Sequence, residues 1–155
     1  MMSNFQREGA LSNAHVGRDF EDIALNYFIK QGCEVRKDYP VMLGFSETKK
    51  SHRFDLGGFD KEGNEFVVEC KSHKWTSGAN VPSAKMTVWN EVMLYFSLVP
   101  MGKIKVLFVL KDYSKKRNET LAEYYIRTYK HLIPKGVVII EYDSDALEAK
   151  AVYER

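Results

Sequence analysis

His52-Arg53-Phe54-Asp55-Leu56-Gly57-Gly58-Phe59-Asp60-Lys61-Glu62-Gly63-Asn64-Glu65-Phe66-Val67-Val68-Glu69-Cys70-Lys71 is the stretch that decides the fold. Residues 64–71 read as a strand, with aromatic and β-branched residues following a turn-rich cluster. Side chains on a strand alternate faces, so Glu69 and Lys71 project one way and Val68 and Cys70 the other. Lys61-Glu62-Gly63 suits a three-residue hairpin loop with glycine in the left-handed position. If Asp60 pairs with Asn64, the register carries Asp55 opposite Glu69, with Cβ atoms about 5 Å apart. Two carboxylates and an ammonium then meet at one spot. Like charges at that range are costly without a counter-charge, and a divalent cation with oxygen ligands is the natural one. A surface salt-bridge cluster is the plainer reading of an isolated Asp and Glu-x-Lys. Three features weigh against it: the Glu69 strand is otherwise apolar, the register aligns the acids without adjustment, and an acid-bearing helix precedes the hairpin.

Working outward, Ser12 or Asn13 caps an expected helix running to about Gln31, with Gly32 as its stop. Val16, Phe20, Ile23, Ala24, Tyr27 and Phe28 form its apolar stripe, and Glu21 lies at the margin of that face. Residues 1–11 are polar and read as a mobile arm before a single domain over 12–155. Residues 33–41 read as a first strand, 42–51 and 72–81 as polar loops, and 83–98 as a helix entered through Pro82. Ile104–Leu110 is a nearly continuous apolar strand of the kind buried on both faces. A helix from about Asn118 to Leu132 follows, then a strand over 137–142, and a short terminal helix from Asp145. Strands alternating with helices after an opening meander predict an α/β sandwich, a mixed sheet with helices on both faces.

The chain has 155 residues, a hydrophobic fraction of 45% and a net charge of +2. Length and composition predict one domain with a real core. A charge near balance permits nucleic-acid binding without arguing for it. Basic residues cluster at Lys49-Lys50 with His52-Arg53, at Lys71 to Lys74, and at Lys115-Lys116-Arg117; the first two flank the acidic hairpin. Cys33 and Cys70 have no metal-ligand spacing. No signal peptide and no apolar run long enough for a membrane span is visible, so a soluble cytoplasmic protein with no membrane partner is expected.

An acid-bearing helix, a hairpin with Asp55, then Glu69-Cys70-Lys71, then helix and strand resembles the PD-(D/E)XK nuclease superfamily, the restriction-endonuclease-like fold. The matching stretch runs from Gly17-Arg18-Asp19-Phe20-Glu21 to Lys71, and residues 83–142 fit the remaining core in order. Phe54 stands where the family has proline. The early segment and the Glu-Cys-Lys-Ser run also look like Holliday-junction resolvases of archaeal type, and restriction and homing enzymes share the core. The resemblance implies a three-layer sandwich of order α-βββ-α-β-α-β. It implies Asp55, Glu69 and the backbone carbonyl of Cys70 as ligands of Mg²⁺ (Mn²⁺ substituting), Glu21 as the helix acid that joins a metal or its water, and Lys71 as the group that orients the attacking water and stabilises charge at phosphorus. One or two cations are the means by which phosphodiester hydrolysis is driven near neutral pH. Lys49, Lys50, His52, Arg53, His73, Lys74 and Lys85 are the candidate nucleic-acid contacts.

The expected function is a metal-dependent DNA endonuclease. Cutting both strands of a duplex needs two sites, so a homodimer or higher symmetric oligomer is the expected assembly. The alternative is a catalytically silent nuclease-fold protein that binds nucleic acid or assembles with a partner. A surface role is the simpler reading for Lys85, Asn90 and Glu91 on the second helix, a core role for Trp89, and packing of helix on sheet or a subunit contact for Tyr124, Tyr125 and Tyr129. Gly57-Gly58 marks a bulge or a close backbone approach.

Overall fold

The computed structural model describes residues 17–154. The expected arm over 1–11, the helix cap at Ser12 or Asn13, and Val16 lie outside the described residues. The described part of helix α1 covers 17–30. It ends in a Schellman arrangement: Cys33 N–H donates to Phe28 O, Gly32 N–H donates to Ile29 O, and Gly32 takes φ +86°. Then come β1 (Glu34–Leu43), β2 (Lys50–Phe59), β3 (Glu65–Lys71), α2 (Ser83–Leu98) and β4 (Ile104–Leu110). A two-stranded ribbon follows, β5 (Tyr113–Ser114) and β6 (Glu119–Thr120), leading directly into α3 (Leu121–Tyr129) with a 3₁₀ turn over Lys130–Leu132. The chain closes with β7 (Val137–Asp143) and β8 (Glu148–Glu154).

The six-stranded sheet has the order β1-β2-β3-β4-β7-β8. It is mixed: β3–β4 and β4–β7 are parallel, while β1–β2, β2–β3 and β7–β8 are antiparallel. The two parallel junctions are those bridged by α2 and α3, because a parallel pair needs a long crossover. Along β3, β4 and β7 neighbouring residues enter opposite cores. Val67, Leu107 and Ile139 pack under α2 and α3 with Met86, Trp89, Phe96 and Tyr125. Val68, Phe108 and Ile140 pack under α1 with Phe20, Ala24 and Phe28. Burial of each such side chain contributes about 1.5–3 kcal/mol over exposure. The α/β architecture with helices on both sheet faces is as expected.

Two expectations are corrected. The C-terminal segment is a strand, not a helix: the Asp143 carboxylate accepts N–H bonds from Asp145 and Ala146, Leu147 adopts φ +56°, and the chain returns along β7. Sheet pairing overrides the helix propensity of its alanines, glutamates and lysine. Asn118, Glu119 and Thr120, expected to open the third helix, instead close the β5–β6 ribbon, so α3 starts at Leu121, capped by the Thr120 hydroxyl accepting from Glu123 N–H at 3.1 Å.

Candidate active site

The β2–β3 turn sets the register as the sequence dictates. Asp60 N–H donates to Asn64 O, and Gly63 takes φ +85°. The ladder then runs from Phe59↔Glu65 to Leu56↔Val68. One step further along this register brings Asp55 beside Glu69, but the ladder stops there. In β1 the facing residue Asp38 lies in the left-handed region at φ +52°. On one side of this point Val35 of β1 and Leu56 of β2 face the α1 core; on the other side the paired Tyr39 and Phe54 face the α2–α3 core. The hairpin therefore changes faces at Asp38 and Asp55. The glycines permit this tight hairpin: a Cβ on Gly57 would strike the Tyr39 ring at 2.3 Å, and one on Gly58 would strike Glu34 O at 1.8 Å. This is the close backbone approach read from the sequence.

Released from the ladder, the Asp55 carboxylate accepts the Cys70 N–H at 2.8 Å. It is also hydrogen-bonded to the Glu69 carboxyl. Glu69 is 7% exposed on β3, facing the α2–α3 side. Burial, then the Asp55 charge and the hydrogen bond to it, push its carboxyl up to about 9, against the lowering influence of Lys71. Glu21 on α1 comes from the other layer. Burial and the Asp55 charge raise its carboxyl, against Lys37. Lys37 is itself tied to Asp22 in an ion pair. The same set of charges, after burial, holds the Cys70 thiol well above its usual range, and Cys70 packs against the α1 core as expected for a small apolar residue.

The structure thus places Asp55, Lys71 and Glu21 within electrostatic reach of Glu69. It also adds a group the sequence reading assigned only to phosphate. His52 Nε2 lies 3.3 Å from Glu69 Oε1, and its ring stacks on Tyr95 of α2 at 3.9 Å between centroids and 18° between planes. Burial lowers its pKa, opposed by Asp55 and Glu91. With Glu69 favouring its protonated form, the contact is a neutral hydrogen bond rather than an ion pair. Tyr95 escaped sequence reasoning because its role arises only from α2 crossing β2.

His73 departs from its expected place among the phosphate contacts. It accepts a hydrogen bond at Nδ1 from Trp89 Nε1 at 2.9 Å, and burial, then Lys85 and Lys71, bring its pKa down to about 4. A neutral, occupied imidazole cannot supply a cation. Lys49 and Lys50 are exposed near the β1–β2 turn, Arg53 is exposed on β2, Lys74 lies in the loop after β3, and Lys85 is exposed on α2 within electrostatic reach of His73. Asn90 accepts from Tyr125 OH at 2.9 Å and serves the core, where Trp89 and Tyr125 are fully buried.

Asp55, Glu69 and Glu21 are hard oxygen donors, and each of the two glutamates is raised by the neighbouring acids. Their chemistry fits a divalent cation, which would relieve that repulsion. Among the described residues no three His, Cys, Asp or Glu side chains close into a ready cation cage. Cys70 N–H occupies Asp55 Oδ2 and His52 occupies Glu69 Oε1, which leaves the second oxygen of each carboxylate for a cation once the proton the two acids share is lost.

No protein-family model and no curated protein matches the sequence. Solved structures do share the fold. An XisH family protein from Nostoc punctiforme PCC 73102 superposes with a TM-score of 0.53 at 12% identity, over 86% of this chain and 98% of that one. An fdxN element excision controlling factor protein from Anabaena variabilis does so with a TM-score of 0.53 at 14% identity, over the same shares. Identities this low carry the fold alone. Among the described residues no helix is long and apolar enough to cross a membrane.

Proposed function

We propose that this chain is a metal-dependent DNA endonuclease of the PD-(D/E)XK kind, with Asp55, Glu69 and Glu21, together with the Cys70 carbonyl, as ligands and Lys71 as the catalytic cation. The observation that carries this reading is the hydrogen-bonded Asp55–Glu69 pair, with Glu21 beside it and Lys71 two residues on along the same strand face. A Mg²⁺ or Mn²⁺ ion in that set supplies Lewis-acid charge to the scissile phosphate. The chain's own residues do the rest. Asp55 is aimed by the Cys70 N–H, which fixes its carboxylate against the end of β3. Glu69, backed by His52 on Tyr95, is held from swinging away. Lys71, on the face of Glu69, places a positive charge where negative charge develops on the phosphoryl oxygens. Strand β3 lies in the middle of the sheet, between β2 and β4, so these groups stand on rigid elements.

The test is cleavage of supercoiled plasmid, linear duplex, single strand and a four-way junction, with Mg²⁺ and with EDTA. Cutting that needs the metal and is lost in Lys71→Ala supports the reading. Undiminished cutting in Lys71→Ala, Asp55→Ala and Glu69→Ala sinks it. A second reading, a nucleic-acid-binding protein of this fold without turnover, draws on the contacts of Asp55 with Cys70 N–H and of Glu69 with His52 and on the name of one structural neighbour, an excision controlling factor. It is favoured if every substrate binds and none is cut.

A further inference from the structure

The basic cluster farthest from the acidic hairpin in sequence, Lys115-Lys116-Arg117, is fastened to the active end of the sheet. β4 runs parallel to β3, with Lys71 paired to Val109, so both strands finish at the same end. The β5–β6 ribbon springs from the end of β4. It is a closed structure: Asn118 N–H donates to Ser114 O at 2.7 Å, Arg117 N–H donates to Ser114 Oγ at 3.2 Å, and Asn118 takes φ +56°.

The ribbon is locked onto the loop that follows Lys71. Trp75 N–H donates to Asp112 Oδ2 at 2.8 Å and Trp75 Nε1 donates to Asp112 O at 3.0 Å. The Arg117 guanidinium lies 4.8 Å from the Trp75 ring and 5.8 Å from that of Tyr124, and its Nε donates to Ala79 O at 2.5 Å. Arg117 is thus committed to bracing. Lys115 and Lys116, at the tip, are exposed and form no ion pair among the described residues. Two free ammonium groups on a rigid, outward ribbon carry no fold-stabilising duty. They add to the exposed basic residues Lys49, Lys50, Arg53, Lys74 and Lys85 toward the same end. The opposite end of the β2–β3 hairpin carries Asp60, Glu62 and Glu65, with Glu65 paired to Lys103.

We infer that the β5–β6 ribbon is a second backbone-gripping arm: Lys115 and Lys116 contact phosphates of a duplex at a distance from the scissile bond. The inference rests on the nucleic-acid reading above but not on cleavage. Neutralising a phosphate releases its counterions, so each contact adds about 0.9 to the slope of log affinity against log salt. Backbone contacts of this kind set register without reading bases.

The experiment is fluorescence anisotropy of the full chain with a labelled 20-base-pair duplex in EDTA, across a sodium chloride series. Lys115→Ala/Lys116→Ala is compared with wild type. Both positions lie on an exposed loop tip, where substitution is tolerated, and an unchanged melting temperature verifies folding. The expected result is binding weakened by roughly tenfold at moderate salt and a slope reduced by about 2. Arg117→Ala, which removes the brace, weakens binding as well and lowers the melting temperature. Wild-type affinity and slope in the double variant overturn the arm while leaving the endonuclease reading intact. Duplex binding with the reduced slope but no cleavage with Mg²⁺ keeps the arm and sinks the endonuclease. No duplex binding by wild type sinks the arm. Equal binding of a poly-glutamate chain, with the same dependence on the two lysines, also overturns it.

Discussion

The two ends of the β2–β3 hairpin hold carboxylates in opposite conditions. At the closed end, Asp60 accepts N–H bonds from Glu62 at 3.0 Å and Asn64 at 2.8 Å, and a third bond from the Asn64 amide at 3.1 Å. Those donors, Asn64 first, hold its carboxyl below the usual range. At the open end, one backbone N–H serves Asp55, and Glu69 is left with Asp55 and His52 for company. Burial, then the Asp55 charge, favours the protonated form of Glu69. A carboxylate that serves the fold is matched with donors from its own backbone. At the open end Glu69 is left short of them, and the fold bears the cost.

The hardest blow to that contrast is chemical. Lys71→Ala and Asp55→Ala are expected to lower metal-dependent cleavage by about 10²–10³-fold or more, with melting temperatures close to wild type. Asp60→Ala is expected to leave cleavage alone, so equal losses at both ends would erase the distinction.

The next effect is on stability. Glu69 titrates higher in the folded chain than its usual 4.5, so the fold holds a proton that the unfolded chain has released. The stability this provides is full below about pH 4.5 and declines as pH rises toward about 9. Glu69→Gln is therefore expected to be more stable than the metal-free wild type at pH 8, by at most about 5 kcal/mol, and to lose the downward slope in urea melts from pH 5 to 9. Parallel slopes would show that the open end is not under electrostatic load. Added Mg²⁺ should raise the wild-type melting temperature more at pH 8 than at pH 6, because ligands must be deprotonated.

A subtler control is Glu141, on β7 and 5% exposed. Burial is the first cause of its raised carboxyl, and a hydrogen bond with Thr120 opposes it. Its Oε2 has no partner. It lies across β4 from Lys71, both paired with Val109. Glu141→Gln is expected to change stability by less than about 1 kcal/mol and cleavage not at all. A large loss of cleavage would extend the site across the sheet. The smallest effect belongs to Asp60→Ala: a modest fall in melting temperature near neutrality. Its depressed carboxyl contributes above the usual 3.8 and loses that contribution as pH falls through the folded value, so variant and wild type converge in strong acid.

The hairpin was legible in the sequence because Asp60 and Gly63 fix where the turn starts, and strand alternation then counts out to Asp55 and Glu69. The core strands were legible as apolar runs with turn residues at each end. β8 was not, because Glu-Ala-Lys-Ala has helix propensity and becomes a strand only through pairing with β7. The β5–β6 ribbon was not, because two-residue strands leave no periodicity. In the site, acids close in register could be placed together. The His52–Tyr95 stack, the Trp89–His73 bond and the Arg117–Trp75 brace could not, since each joins segments brought together only by the packing of α2 or by the ribbon against the loop after β3.

The face change at Asp38 has a bearing on how copies of this chain can meet. β1 is a sheet edge, and an edge is where a neighbour's strand ordinarily adds. Asp38 turns left-handed in the middle of that edge, and two residues later Pro40 lacks an N–H to offer. The kink that frees Asp55 thus also blunts β1 as a template for intermolecular pairing. It guards against runaway strand addition, and it directs any symmetric assembly toward helices and loops rather than a sheet continued across β1.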